Sequence, residues 1–137
     1  MRYMIIVKAT QGSEAGVVPS VALMAAMAAF HEELARAGVL LDASGLKPSS
    51  TGWRVSFDGT QRRLIDGPFA VARELVAGYT LIQVRSRDEA LEWSRRFPNP
   101  ATEGGAGEIE VRPLFELDDF EPTAAVERFR TLQAGRA

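Results

Sequence analysis

The sequence predicts a single α+β domain, and three observations carry that prediction. Short β-rich runs alternate with two helical stretches, the chain is one domain long, and its composition is that of an ordinary globular core. The chain has 137 residues, 46% of them hydrophobic and 25% charged, close to the globular average. A chain of this size buries roughly two thirds of its unfolded surface, so it needs no disulfide or metal to fold. It has no cysteine, which removes disulfides, thiolate nucleophiles and cysteine metal sites together.

Each element has a local cause. Tyr3 to Val7 is a near-continuous apolar run closed by Gln11-Gly12-Ser13, the mark of a strand inside a sheet. Gly12 to Pro19 reads as a loop. Ser20 is placed to cap a helix in which Leu23, Met27, Phe30 and Leu34 recur on one face, so that stripe is assigned to the core. Gly38 stops it. Val39 to Leu41 reads as a short strand, with a loop from Ser44 to Ser50. Trp53, Val55 and Phe57 alternate with Arg54 and Ser56, which predicts a half-buried strand. Asp58-Gly59 is a hairpin-turn dipeptide, returning as Gln61 to Ile65.

Beyond Asp66-Gly67-Pro68-Phe69, a short helix is expected over Phe69 to Val76, then a strand from Tyr79 to Val84. Ser86 with Glu89 three residues on forms a capping box for a helix that Pro98-Asn99-Pro100 ends. A Gly-rich loop, Ala101 to Gly107, leads to a last strand over Ile109 to Phe115. Residues 117–137 form a tail, acidic first and then amphipathic, with Val126, Phe129 and Leu132 in helical register. The domain proper therefore runs over 1–116. The element order describes a ferredoxin-like α+β sandwich with an inserted β-hairpin and a C-terminal helical tail. Helices cover one sheet face, and the other is expected to be buried in a homodimer.

Charge narrows the partners. Sixteen basic and 18 acidic side chains leave a net charge of −2, which attracts neither nucleic acid nor an anionic membrane. The longest apolar segment, Val17 to Phe30, is broken by Pro19 and Ser20 and falls short of the ~20 residues of a membrane span. With no signal-peptide pattern, a cytoplasmic protein is expected. One histidine and no cysteine argue against a transition-metal site, and no cofactor is implied. Gly104-Gly105-Ala106-Gly107 lacks the GK[ST] ending of a phosphate loop, and Ser44 lacks the context of a nucleophilic serine.

Asp66 is the leading candidate for chemistry, because its carboxylate sits at a sharp Gly-Pro turn. It either acts as a general base or ligand anchor, or caps a helix opening at Pro68. His31, the one side chain that titrates near neutrality, is its natural acid/base partner. Arg54 and Arg112 either clamp an anion or form cross-strand ion pairs. Tyr79 and Trp53 either line a pocket or pack in the core or at an interface.

Asp66-Gly67-Pro68-Phe69 is also the signature of the DGPF proteins, a branch of the YCII-related family, which the chain resembles over roughly Arg2 to Phe120. Phe30-His31-Glu32-Glu33-Leu34, Gly45-Leu46-Lys47-Pro48-Ser49, Gly78-Tyr79, Asp88-Glu89-Ala90-Leu91-Glu92-Trp93 and Glu110-Val111-Arg112-Pro113-Leu114 extend the likeness. The resemblance implies a dimeric α/β barrel of the ferredoxin-like type. Relatives in the wider family gather polar residues in a cleft, and here a cleft around Asp66, with Gly67, Pro68, Phe69 and Glu74 as ligand-binding residues, is expected to bind or act on a small polar molecule by metal-free acid/base chemistry. Some DGPF proteins resemble companions of extracytoplasmic-function sigma factors, which implies a regulatory alternative without catalysis. Where the family commonly shows an acid, Thr, Lys and Glu after the signature, this chain has Val71, Ala72, Arg73 and Glu74, a less polar patch.

Overall fold

A computed structural model describes residues 1–71, 73–101 and 104–136. Ala72, inside the expected 69–76 helix, Thr102 and Glu103 of the Gly-rich loop, and Ala137 lie outside the described residues.

The main sheet has four antiparallel strands, β1 (Arg2–Lys8), β2 (Leu40–Gly45), β5 (Val76–Gln83) and β6 (Ile109–Pro113), in the order β2-β5-β1-β6. The helices are α1 (Gln11–Glu14), α2 (Val21–Arg36), α3 (Arg87–Arg95) and α4 (Ala124–Ala134). With β1 central and each half closed by a crossing helix, the domain is α+β and compatible with a ferredoxin-like fold. Strands β3 (Trp53–Asp58) and β4 (Gln61–Asp66) pair only with each other, in a second, two-stranded sheet. Gly59 turns between them at φ 60°, a left-handed conformation that Gly adopts without penalty.

The core lies between the sheet and helices α2 and α3. Alternation along β1 and β5 sends Tyr3, Ile5, Thr80 and Ile82 inward, where they meet Phe30 and Leu34 of α2 and Ala90 of α3. Ile5, Leu34 and Ile82 are fully buried, each worth about 1.5–3 kcal/mol of transfer free energy. Phe30 sits edge-on to Trp93 and Phe97. Ser20 Oγ accepts from Leu23 N–H and starts α2, and Ser86 Oγ accepts from Glu89 N–H and starts α3.

Four expectations are corrected. Gln11–Glu14 is a helical turn, capped by Thr10, inside the expected loop. No described residue of 69–75 is helical: Arg73 and Glu74 form a turn, the other described residues take no regular structure, and β5 begins at Val76. Trp53 and Phe57 alternate as expected of a strand but are 64% and 66% exposed, since no layer covers β3. The α2 stripe also divides. Phe30 and Leu34 enter the core, whereas Leu23 and Met27 remain half-exposed. The tail helix α4 buries no residue and rests on the 3-10 turn Leu117–Asp119. That turn is tied to β1 by a bidentate Arg2–Glu116 pair at 3.0 and 3.1 Å.

Candidate functional site

The unburied half of the α2 stripe faces a cleft of about 660 Å³. Leu23, Met27 and His31 of α2 form one wall, at spacings of four that keep them on one line of the helix. The end of the sheet, from Val7, Gly78 and Thr80 to Gly45 and Leu46, forms the other. The segment Gly16–Pro19 after α1 makes the lip, and Phe97 and Pro100 close the far side. Among the described lining residues none is Asp, Glu, Lys or Arg, so the wall is apolar apart from a few hydroxyls and His31.

His31 is held on all sides. Its Nδ1 is 2.7 Å from Met27 O, one turn back along α2, and its Nε2 is 2.8 Å from Thr80 Oγ1, across on β5. Phe30 and Phe97 stand edge-on to the ring at 5.6 and 6.2 Å. A carbonyl only accepts, so Nδ1 carries the proton. In the neutral ring Nε2 is then the acceptor, and the Thr80 hydroxyl donates to it. Thr80 is 2% exposed, the one buried polar residue among those described. The arrangement of a hydroxyl on a base, with the base oriented by a third group, is the general form of an activated acid/base pair.

The signature tetrapeptide lies elsewhere. Asp66 ends β4, is exposed, and makes no side-chain hydrogen bond among the described residues. Among the described residues none from Pro68 to Leu75 is helical, so Asp66 caps no helix there. The turn, with a cis Gly67–Pro68 bond, is fixed through its backbone instead. Gly67 N–H donates to Gly52 O at 3.0 Å, and Phe69 N–H donates to Ser49 Oγ at 2.9 Å. Ser49 in turn donates its backbone N–H to Glu14 Oε1 at 3.0 Å and its hydroxyl to Glu14 Oε2. A Cβ at Gly67 would overlap the Ser49 carbonyl, so only Gly fits.

The structure gathers some sequence-selected residues and separates others. Arg54 lies 3.9 Å over the Phe69 ring and 3.8 Å from Glu74, so these three form one exposed cluster with Gly67 and Pro68 nearby. Arg112 pairs with Glu110 of its own strand at 3.8 Å, not across strands as expected, whereas Glu110 meets Lys8 of the neighbouring β1 at 3.1 Å as a cross-strand ion pair. Tyr79, next to Thr80, is itself among the residues lining the cleft, and its hydroxyl donates to Asp42 Oδ2 at 2.8 Å. That hydrogen bond to a carboxylate, partly offset by Ser44, holds the Tyr79 phenol above its ordinary value. His31 is not joined to Asp66. Both its ring nitrogens are engaged by Met27 and Thr80, and Asp66 is not among the described residues of the cleft. The cleft described above is lined by His31 and, among the described residues, not by Asp66.

Thr80 was missed by sequence reasoning. A polar residue between Gly78 and Ile82, on the inward side of a strand otherwise apolar on that face, is the signal that marks it. The four-residue spacing of Leu23, Met27 and His31 likewise places His31 on the inner line of α2.

Fold and site define a small α+β domain with an apolar cleft and a histidine–threonine pole. The chain belongs to the YCII-related family, whose domain model matches residues 1–118. It is 33% identical, over 94 residues, to an uncharacterised protein of Rhizobium meliloti (strain 1021), a match covering 67% of this chain and 73% of that protein. Among the described residues no helix is long and apolar enough to cross a membrane, and no group of three or more His, Asp or Glu is placed to hold a metal ion.

Proposed function

We infer that the cleft between α2 and the sheet binds a small molecule, and that His31 is its acid/base group. One observation carries this reading: the only histidine of the chain stands in the cleft with its tautomer fixed by Met27 O and its second nitrogen on the Thr80 hydroxyl. The volume lies within the ~300–1,000 Å³ of small-molecule sites, and an apolar wall with few polar groups is their usual lining. In this reading the DGPF turn, Arg54 and Glu74 shape the base of the hairpin, and the ligand is less polar than the signature suggested.

The test is a thermal-unfolding screen with neutral aromatic alcohols. A compound at about 100 times its Kd adds about 2.7 kcal/mol of apparent stability. Hits are expected on the wild type, to weaken in His31→Phe, and to vanish in Leu23→Trp, which fills the cleft. Hits that survive in Leu23→Trp, or none on the wild type, refute the reading.

A second reading rests on separate observations and is compatible with the first: a homodimer. Trp53, Phe57 and Leu64 of the hairpin are 64–68% exposed, and Phe115 and Phe120 stack at 5.0 Å beside the tail, also uncovered. Exposed aromatic groups of this kind mark interaction surfaces. Light scattering should give twice the mass of one chain, and Trp53→Arg with Phe57→Asp should return it to the mass of one. A monomeric wild type removes this reading.

A further inference from the structure

The hydrogen-bond polarity at the inner end of the cleft says which chemical group it receives. The Thr80 hydroxyl has one proton, and in the neutral-ring state that proton points to His31 Nε2. Its oxygen lone pairs are then its remaining capacity, and no described group donates to them. Thr80 borders the cleft and is 2% exposed, so a donor that reaches its oxygen does so where water is scarce and counts for most. The described wall offers no cation to a carboxylate or phosphate and no carboxylate to an amine. A charged ligand would leave water with no fixed charge to answer it there, which is unfavourable.

Resting on the cleft reading above, we propose that the site takes an uncharged, largely apolar molecule bearing a hydroxyl, and that Thr80 relays the hydroxyl proton to His31. The ligand O–H donates to Thr80 Oγ1 while Thr80 Oγ1–H donates to His31 Nε2. On transfer the ligand O–H bond breaks and its proton goes to Oγ1. The proton that Oγ1 carried goes to Nε2. The products are a ligand oxyanion and an imidazolium, whose Nδ1–H stays on Met27 O. No co-reactant is needed, and reversal returns every proton. An enol or aryl alcohol suits the step, because its oxyanion is delocalised into the apolar part of the molecule. Met27 O keeps the ring from turning and Phe30 and Phe97 fix its plane, so the relay is preorganised. Thr80 is then the residue that touches substrate, and His31 acts through it.

Three naphthalene probes of nearly one size test this on the intact chain: 2-naphthol, 2-methoxynaphthalene and 2-naphthoate, followed by fluorescence titration. Wild type is expected to bind 2-naphthol about fivefold more tightly than 2-methoxynaphthalene, the worth of one neutral hydrogen bond. Binding of 2-naphthoate should be weaker than 2-naphthol by about tenfold or more. Excited 2-naphthol is a strong acid, so a relay within reach produces naphtholate emission from the bound probe. Thr80→Val should abolish that emission and the preference for 2-naphthol, while binding of 2-methoxynaphthalene changes little. Thr80→Ser, which keeps the hydroxyl, should restore both.

The outcomes separate the two levels of the argument. If none of the probes binds wild type, or if binding is unchanged in Leu23→Trp, the cleft reading fails and this proposal fails with it. If 2-methoxynaphthalene equals 2-naphthol on wild type, or Thr80→Val retains naphtholate emission, the cleft stands and the relay falls. Tighter binding of 2-naphthoate than of 2-naphthol overturns the uncharged class. The wild-type comparisons decide the matter even if Thr80→Val does not fold.

Discussion

The DGPF turn and the His31 cleft place their polar groups in opposite ways. In the turn, the amides of Gly67 and Phe69 are spent on Gly52 and Ser49, and Ser49 is spent on Glu14. Only the Asp66 carboxylate is left over, and it faces solvent. In the cleft, two groups, His31 and Thr80, are bonded to each other in a way that leaves Thr80 Oγ1 with acceptor capacity, in a residue that borders the cavity. A tight turn that saturates its own hydrogen bonds holds a shape. A cavity whose polar pole keeps spare capacity is suited to hold something else.

Substitutions can break or sharpen this contrast. The largest effect is expected from Gly67→Ala, whose Cβ meets backbone that cannot move aside. The cost should be about 3 kcal/mol, the upper end of overpacking, read by denaturant unfolding. Next is Ser49→Ala, which strips the Phe69 amide of its acceptor and Glu14 of a donor. It should cost about 2 kcal/mol. If either variant, still folded, loses cleft binding in proportion greater than its unfolded fraction, the two regions are not separable.

Asp66→Ala should change stability by less than about 0.5 kcal/mol, as for a surface site without partners. A loss of a full kilocalorie would show that its carboxylate holds the turn after all. The smallest effect is a titration. Tyr79 should ionise above the ordinary tyrosine value near 10, because Asp42 accepts from its hydroxyl. Its bond to Asp42 is complete below that value and is lost as pH rises through the elevated one. Asp42→Asn should bring the ultraviolet titration midpoint down, measured in a Tyr3→Phe background.

The contrast also explains what the sequence made legible. Local chemistry was readable: Ser20 and Ser86 as caps, the Asp58-Gly59 turn, the alternation of Trp53, Val55 and Phe57. The tetrapeptide was conspicuous for the same reason, since Gly and Pro announce a special backbone. Burial was less readable, because it depends on a second layer that no local pattern specifies. Trp53 has the alternation of a half-buried strand and stands in solvent. Leu23 and Met27 share the periodicity of Phe30 and Leu34, yet the stripe leaves the core where the sheet ends and becomes a cavity wall. The site itself was least readable. His31 and Thr80 are 49 residues apart, and only the packing of α2 across β5 joins them.

Glu14 has a consequence beyond the bond it makes. It ends α1, whose next residues are the lip of the cleft, and it also grips Ser49, which grips the signature turn. Three positions far apart in the chain are therefore joined in one hydrogen-bonded unit. A change of Glu14 to a residue without a carboxylate would leave Ser49 bonded to the Phe69 amide alone, while the Ser49 backbone carbonyl would still demand glycine at 67. The four-letter signature is the visible end of a longer dependency, and moving it alone into another protein would transfer the letters without the shape.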